Sequence, residues 1–150
     1  MNYWLMKSEP DVFGIDDLKR VKVEPWDGIR NYQARNFMRD TMKRGDKAFF
    51  YHSNTDVPGI VGTMTVHREA YPDHTALDPD SKYFDPKSTA DAPRWMMVDV
   101  KFSRKFKRTV SLAEMREDPA LDGFRLLQRG QRLSILPVEP AHWDHILTLV

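Results

Sequence analysis

Trp26-Asp27-Gly28-Ile29-Arg30-Asn31-Tyr32-Gln33-Ala34-Arg35-Asn36-Phe37 places a glycine turn, a helix cap and the first turns of a two-sided helix in one short segment. Asp27-Gly28 reads as the turn. Asn31 is positioned to cap the helix that follows by accepting from a backbone N–H two or three residues on. Ala34, Phe37, Met38 and Met42 then recur at helical spacing and form an apolar face. Arg35, Arg39 and Lys43 recur every fourth residue on another face, and Gly45 ends the helix. The start of such a helix offers unpaired N–H groups and a positive dipole end. With Trp26 beside it, this junction suits a flat ring that is stacked and then hydrogen-bonded along its edge. A buried tryptophan at an ordinary helix cap accounts for the same residues, so both readings stay open on this segment alone.

The rest of the composition sets bounds on what surrounds it. A chain of 150 residues, 41% hydrophobic and 30% charged, is expected to form one domain, 1–150, with a substantial core. The longest apolar runs are too short to span a bilayer, and no membrane partner is expected. Met1 to Lys7 lacks the charged start, apolar stretch and small-residue cleavage site of a signal peptide. The absence of cysteine excludes disulfides, thiolate zinc sites and cysteine nucleophiles, and points to a cytoplasmic protein. A net charge of +1 does not by itself argue for nucleic acid; the local distribution of charge carries more information.

Along the chain, residues 2–6 alternate as a first strand, which Pro10 stops after Lys7-Ser8-Glu9. Ile15 to Leu18 predicts a short helix with acids near its start, and Val21 to Glu24 a brief strand. After the helix of the opening segment, Lys47–His52 and Ile60–Arg68 predict an antiparallel pair joined through Pro58-Gly59. Gly62 inside the second strand marks a bulge or a close approach. Residues 70–94 predict a long irregular loop with prolines at 72, 79, 86 and 93. Loops of that length are usually functional or disordered, and Tyr71, Tyr83 and Phe84 argue for order. Its aspartates do not follow the EF-hand spacing, so no metal is expected. Arg94 to Phe102 predicts a strand, which leads into the basic run Arg104-Lys105-Phe106-Lys107-Arg108. Ser111-Leu112-Ala113-Glu114 is a capping box. A short helix over 120–129, a last strand over 131–138 and a C-terminal helix from Pro140 complete the reading. Short strands interspersed with short helices imply an α+β fold, a small bent sheet or partly closed barrel with helices outside.

Catalytic patterns are weak. Ser53 follows His52, but adjacent strand residues point to opposite faces. His142 and His145 share a helix without a third ligand, and no phosphate loop, GxGxxG or HExxH is present. What is present is a recognition vocabulary. Trp26, Trp95, Tyr51 and Tyr32 supply aromatic faces, and Asn31, Gln33, Asn54, Ser8, Ser53 and Gln131 supply donors and acceptors. Stacking with edge hydrogen bonds is how extruded bases are read.

Several segments together resemble the EVE domain family. They are Tyr3–Pro10, Trp26–Asn36, Phe50–Asn54, Pro58–Gly62, Tyr83–Ser88, Pro93–Trp95 and Arg129–Ser134. They run through nearly the whole chain. One departure is Glu139, which stands where the family pattern leads us to expect a serine cap for the last helix. The resemblance implies a PUA-like mixed β pseudo-barrel, similar to PUA and YTH domains, that reads a modified base in DNA or RNA. Carried onto this chain, its base pocket would draw on Lys7, Ser8, Trp26, Asn31, Tyr51, His52, Ser53, Arg94 and Trp95, with Gln131 and Arg132 nearby.

The function expected is therefore non-catalytic recognition of a nucleic acid by a monomer that needs no cofactor. Trp26 and Trp95 would stack, Asn31 and Ser53 would read the edge, and Arg35, Arg39, Lys105 and Lys107 would contact phosphates. Two rivals are a small-molecule sensor for a nucleotide or another anion, and an enzyme acting on a nucleotide with His52 or Glu9 as base.

Overall fold

The computed structural model describes residues 1–150. A mixed six-stranded sheet in the order β2-β5-β4-β3-β1-β6 forms its frame. The strands are β1 (Tyr3–Ser8), β2 (Val23–Pro25), β3 (Lys47–His52), β4 (Gly59–Pro72), β5 (Met96–Ser111) and β6 (Ile135–Val138). β1 and β3 run parallel, with Lys7 opposite Tyr51 and Ser8 opposite His52. The other neighbours are antiparallel, including the predicted pair β3–β4. Four short helices accompany the sheet: α1 (Ile15–Val21), α2 (Tyr32–Asn36), α3 (Leu112–Arg116) and α4 (Pro140–Thr148).

Strand alternation sends neighbouring side chains to opposite faces, and each face has its own apolar core. Trp4, Met6, Ala48 and Phe50 join Leu18, Trp26, Met38 and Val98 on one face. Leu5, Phe49 and Tyr51 join Phe124, Trp143 and Ile146 on the other. β4 and β5 also serve both cores, and their pairing slips at bulges such as that between Ile60 and Gly62. A β-carbon at Gly62 would lie 2.3 Å from the Arg104 carbonyl oxygen, so the bend depends on a bare backbone there, as the glycine suggested.

Three local expectations fail. The helix after Asn31 does not run evenly to Gly45: α2 widens into a π turn over Phe37–Thr41, and the chain leaves it at an extended Met42. No helix covers 120–129; Pro119–Leu121 and Arg125–Leu127 are separate 3₁₀ turns, with Gly123 at a positive φ between them. The last strand is shorter than predicted and begins at Ile135. The basic run instead continues the preceding strand, so β5 reaches from Met96 to Ser111. Glu139 precedes α4 without a side-chain cap.

Candidate functional site

The ends of β1 and β2 and the irregular segment that follows β2 line a cavity of about 340 Å³. Its aromatic surfaces are Trp26, Phe13 and Tyr83, and its polar groups are Lys7, Ser8, Glu9, Glu24, Asp27 and Lys82. Trp26 is only 6% exposed. It meets Phe50 and Phe13 edge-on, with centroids 5.5 and 6.5 Å away. It is therefore a core residue, as the buried-tryptophan reading has it, that also lines the cavity. The Ser8 hydroxyl donates to the Phe13 carbonyl at 2.6 Å, which fixes the loop between β1 and α1 as one wall.

The opposite wall is the long loop before β5, and a buried ion pair attaches it. Asp73 is 1% exposed. Its Oδ2 accepts from the Gly28 N–H at 2.8 Å and from Arg30 Nη1 at 3.0 Å. Its Oδ1 accepts from the Thr75 N–H and hydroxyl. Arg30 spans to the loop and donates to the Tyr83 carbonyl from Nε and Nη2 at 3.1 and 2.7 Å. Burial alone would raise the Asp73 carboxyl, but the donors from Thr75, Gly28 and Arg30 outweigh it and hold the group below the usual range. Asp85 accepts from Trp95 Nε1 at 2.7 Å, and Asp78 accepts from the Asp80 N–H. These loop aspartates act as internal acceptors that order the segment.

Charge inside the cavity is mixed. Burial first, and then the charges of Asp27, Asp17 and Asp99, hold the Glu24 carboxyl above its usual range. Partial burial, and then Asp73, do the same for Asp27 at the rim. Burial lowers the Lys7 ammonium. The cavity thus offers ring faces, acceptors and donors within one base-sized space.

Only part of the expected pocket gathers here. Lys7, Ser8 and Trp26 line this cavity, and Tyr51 and Gln131 line a separate groove that also reaches Lys7. Asn31, His52, Ser53, Arg94, Trp95 and Arg132 line neither. The Asn31 side chain caps α2 by accepting from the Ala34 N–H at 3.0 Å. His52 Nε2 accepts from the Ile15 N–H at the start of α1, and burial lowers its pKa. The Ser53 N–H donates to the Ser8 carbonyl. Trp95 stacks on Tyr32 at 4.8 Å, and Arg35 donates to the Arg94 carbonyl, which ties α2 to the loop. Arg39 is paired with Asp40 and Lys105 with Asp16, while Lys107 is exposed on β5. Glu9 accepts from Asn54 Nδ2 at 2.7 Å.

Sequence reasoning overlooked Phe13, Glu24, Asp27 and Tyr83 as cavity residues. Tyr83 was legible as an aromatic in a loop too long to be a mere connection. Glu24 offered no signal, since only its strand position opposite Val100 brings it to the cavity.

Comparison with known proteins places this arrangement. Thymocyte nuclear protein 1 from Mus musculus is 46% identical over 99% of this chain and 73% of its own length, and that from Homo sapiens is 45% identical over the same shares. A crystal structure of a Pseudomonas syringae protein, 50% identical, superposes with a TM-score of 0.94 over 98% of both chains. The human THYN1 protein in complex with 5-methylcytosine-containing DNA, 46% identical, gives 0.91 over 99% of this chain and 97% of that one. The YTH domain of Mmi1, 11% identical with a TM-score of 0.55 over 99% and 86% of the two chains, is alike in fold alone, whereas the THYN1 structures place the chain in the PUA-like fold. The name of the mouse and human relatives marks a nuclear protein and overturns the cytoplasmic expectation. The EVE domain model matches residues 2–149, and with relatives this similar along nearly its whole length the chain belongs to the EVE domain family.

Proposed function

We propose that this protein is a non-catalytic reader that receives one modified base, extruded from DNA, in the cavity between Trp26, Phe13 and Tyr83. The observation that carries the reading is the cavity's make-up, in which aromatic surfaces stand next to acceptors and donors. Base–aromatic stacking supplies affinity for any base, roughly 1–3 kcal/mol each, so discrimination must come from the polar groups. Carboxylates at Glu24 and Asp27 accept from an exocyclic amine, whereas the ammonium groups of Lys7 and Lys82 donate to ring nitrogens and carbonyls. That set fits the edge of a cytosine. The human THYN1 complex with 5-methylcytosine-containing DNA supports the same choice. Chemistry on the base finds little support in the candidate bases, since His52 Nε2 and Glu9 are held by Ile15 and Asn54.

Titration of this protein with oligonucleotides that differ only in one 5-methylcytosine tests the reading. Tighter binding of the methylated strand is expected, with the base recovered unchanged by mass spectrometry. Tyr83→Ala should weaken binding about ten- to a hundredfold if its ring stacks. Equal affinity for both strands would reject the modified-base reading, and a chemically altered base would move the assignment to an enzyme. An RNA strand of the same sequence decides between the two nucleic acids.

A further inference from the structure

A second groove, of about 420 Å³, opens on the other side of β1. Lys7, Tyr51, Leu112, Arg116, Gln128, Arg129 and Gln131 are among its lining residues, and no acid is. None of the six ion pairs in the molecule engages Lys7, Arg116 or Arg129. Elsewhere on the surface arginines do find carboxylates: Arg20 pairs with Asp17, Arg39 with Asp40 and Arg108 with Glu114. The three free cations of the groove come from β1, the end of α3 and the turn before β6, so the fold converges them. Arg116 stands on the boundary with a depression that holds Glu117, Asp118 and Asp122, and Asp118 there is taken by His145.

Lys7 lines both spaces. Its Nζ sits 5.9 Å from the centroid of the Tyr51 ring, on the strand that pairs with its own. The groove and the base cavity therefore meet at one half-buried ammonium. We propose that it is the track for the phosphate backbone flanking the extruded nucleotide, with Lys7 as the hinge between base and phosphate contacts. This rests on the base-cavity reading. A nucleotide whose base enters the cavity keeps a phosphate on each side, and that charge must leave along a surface. A groove with cations alone attracts it, and release of condensed counterions then drives association. Gln128 adds a neutral donor, while Gln131 is fixed by accepting from the Leu133 N–H at 2.8 Å and by donating from Nε2 to the Arg125 carbonyl at 3.5 Å. The β5 cations are a poorer track, since Lys105 is already held by Asp16 at 2.7 Å.

The double variant Arg116→Gln/Arg129→Gln tests the proposal, because both side chains are exposed and unpaired. The probes are a short single-stranded DNA carrying one 5-methylcytosine and the free nucleoside 5-methyl-2′-deoxycytidine, which has no phosphate. Each lost phosphate contact lowers the slope of log affinity against log salt by about 0.7 on single strands, so the double variant's slope should fall by about 1.4. Between about 50 and 200 mM salt the wild type should then lose about sevenfold more oligonucleotide affinity than the variant. Nucleoside affinity should stay unchanged. An unchanged slope overturns the proposal, as does a slope that falls only in Lys105→Gln/Lys107→Gln. Joint loss of nucleoside and oligonucleotide binding also overturns it, since the groove would then act through the cavity. If the wild type shows no preference for the methylated strand but the slope falls as expected, the base reading fails and the phosphate track stands.

Discussion

The hydroxyl-bearing end of the Tyr83 ring packs against Gly28, so that a β-carbon there would sit 2.7 Å from Cζ. Gly28 also takes φ +76°, a region that other residues enter only with strain. The irregular segment after Trp26 and the loop before β5 meet at this contact, and both line the cavity. Gly28→Ala should therefore act twice, through backbone strain of about 1–3 kcal/mol and through displacement of the Tyr83 wall. Melting temperature and oligonucleotide affinity should both fall. In Gly28→Ala/Tyr83→Ala the steric part should vanish and the backbone part remain. A double-mutant cycle with no coupling would show that the ring does not rest on Gly28.

The buried pair of Asp73 and Arg30 should make this junction acid-sensitive. The Asp73 carboxyl is held below its usual range by its donors. Its contribution to stability is thus complete above the unfolded value of about 3.9 and is lost as pH falls through the folded value. Asp73→Asn should lose about 1.5–3 kcal/mol at neutral pH, the scale of hydrogen bonds to a charged group. Its unfolding free energy should also decline less steeply below about pH 4 than that of the wild type. Parallel acid limbs in the two proteins would place the titrating group elsewhere.

How much of this was legible depended on whether the governing interactions were local. The cap at Asn31 and the close approach at Gly62 are properties of a residue and its immediate neighbours, and each is found where the sequence indicated; Asp27-Gly28 is irregular chain and not the expected turn, although Gly28 takes a positive φ. The even helix to Gly45 was not found, because apolar spacing does not reveal where the ladder widens into a π turn. Trp95 was grouped with Trp26 by residue type, but its indole N–H is bound by Asp85 and its ring stacks on Tyr32. The segment Arg129–Ser134 and the tip of β1 lie far apart in the chain, and only the parallel pairing of β1 with β3 brings Lys7 and Tyr51 into one groove. Glu24 became a cavity residue through its register with Val100 on β5, which is not written in its own neighbourhood.

Asn31 separates structural from selective roles. Its side chain accepts from the Ala34 N–H and lines neither cavity. Asn31→Ala should cost about 0.5–2 kcal/mol of stability, as expected for a lost helix cap. The ratio of affinities for methylated and unmethylated strands should be unchanged. A selective loss of affinity for the methylated strand would bring Asn31 into the recognition surface.

Glu24 and Asp27 are where selectivity is expected to reside. Both carboxyls lie in the cavity lining, and both are held above their usual range, burial being the first cause in each case. An ionised carboxylate accepts from the exocyclic amine of cytosine, while thymine presents a carbonyl oxygen at the same place. The carboxylate therefore repels thymine as well as attracting cytosine, a discrimination of about 1–3 kcal/mol per well-formed pair. Glu24→Gln replaces an acceptor-only group by one that also donates. The preference for 5-methylcytosine over thymine should fall about tenfold or more, chiefly because thymine binds better. The pH dependence follows in sign. Because the ionised form is acceptor-only and the stronger acceptor, whereas the protonated form turns one oxygen into a donor, affinity for 5-methylcytosine should increase as pH rises through the elevated folded values of the two acids. It should weaken on acidification, before Asp73 titrates and the fold gives way. In Glu24→Gln/Asp27→Asn this dependence should flatten. Calorimetric titrations of both strands across that range check the two outcomes together. A wild-type affinity that does not change with pH, or a double variant that keeps full preference for 5-methylcytosine, would remove the two acids from base recognition and leave the edge to Lys7, Ser8 and the backbone that follows Trp26.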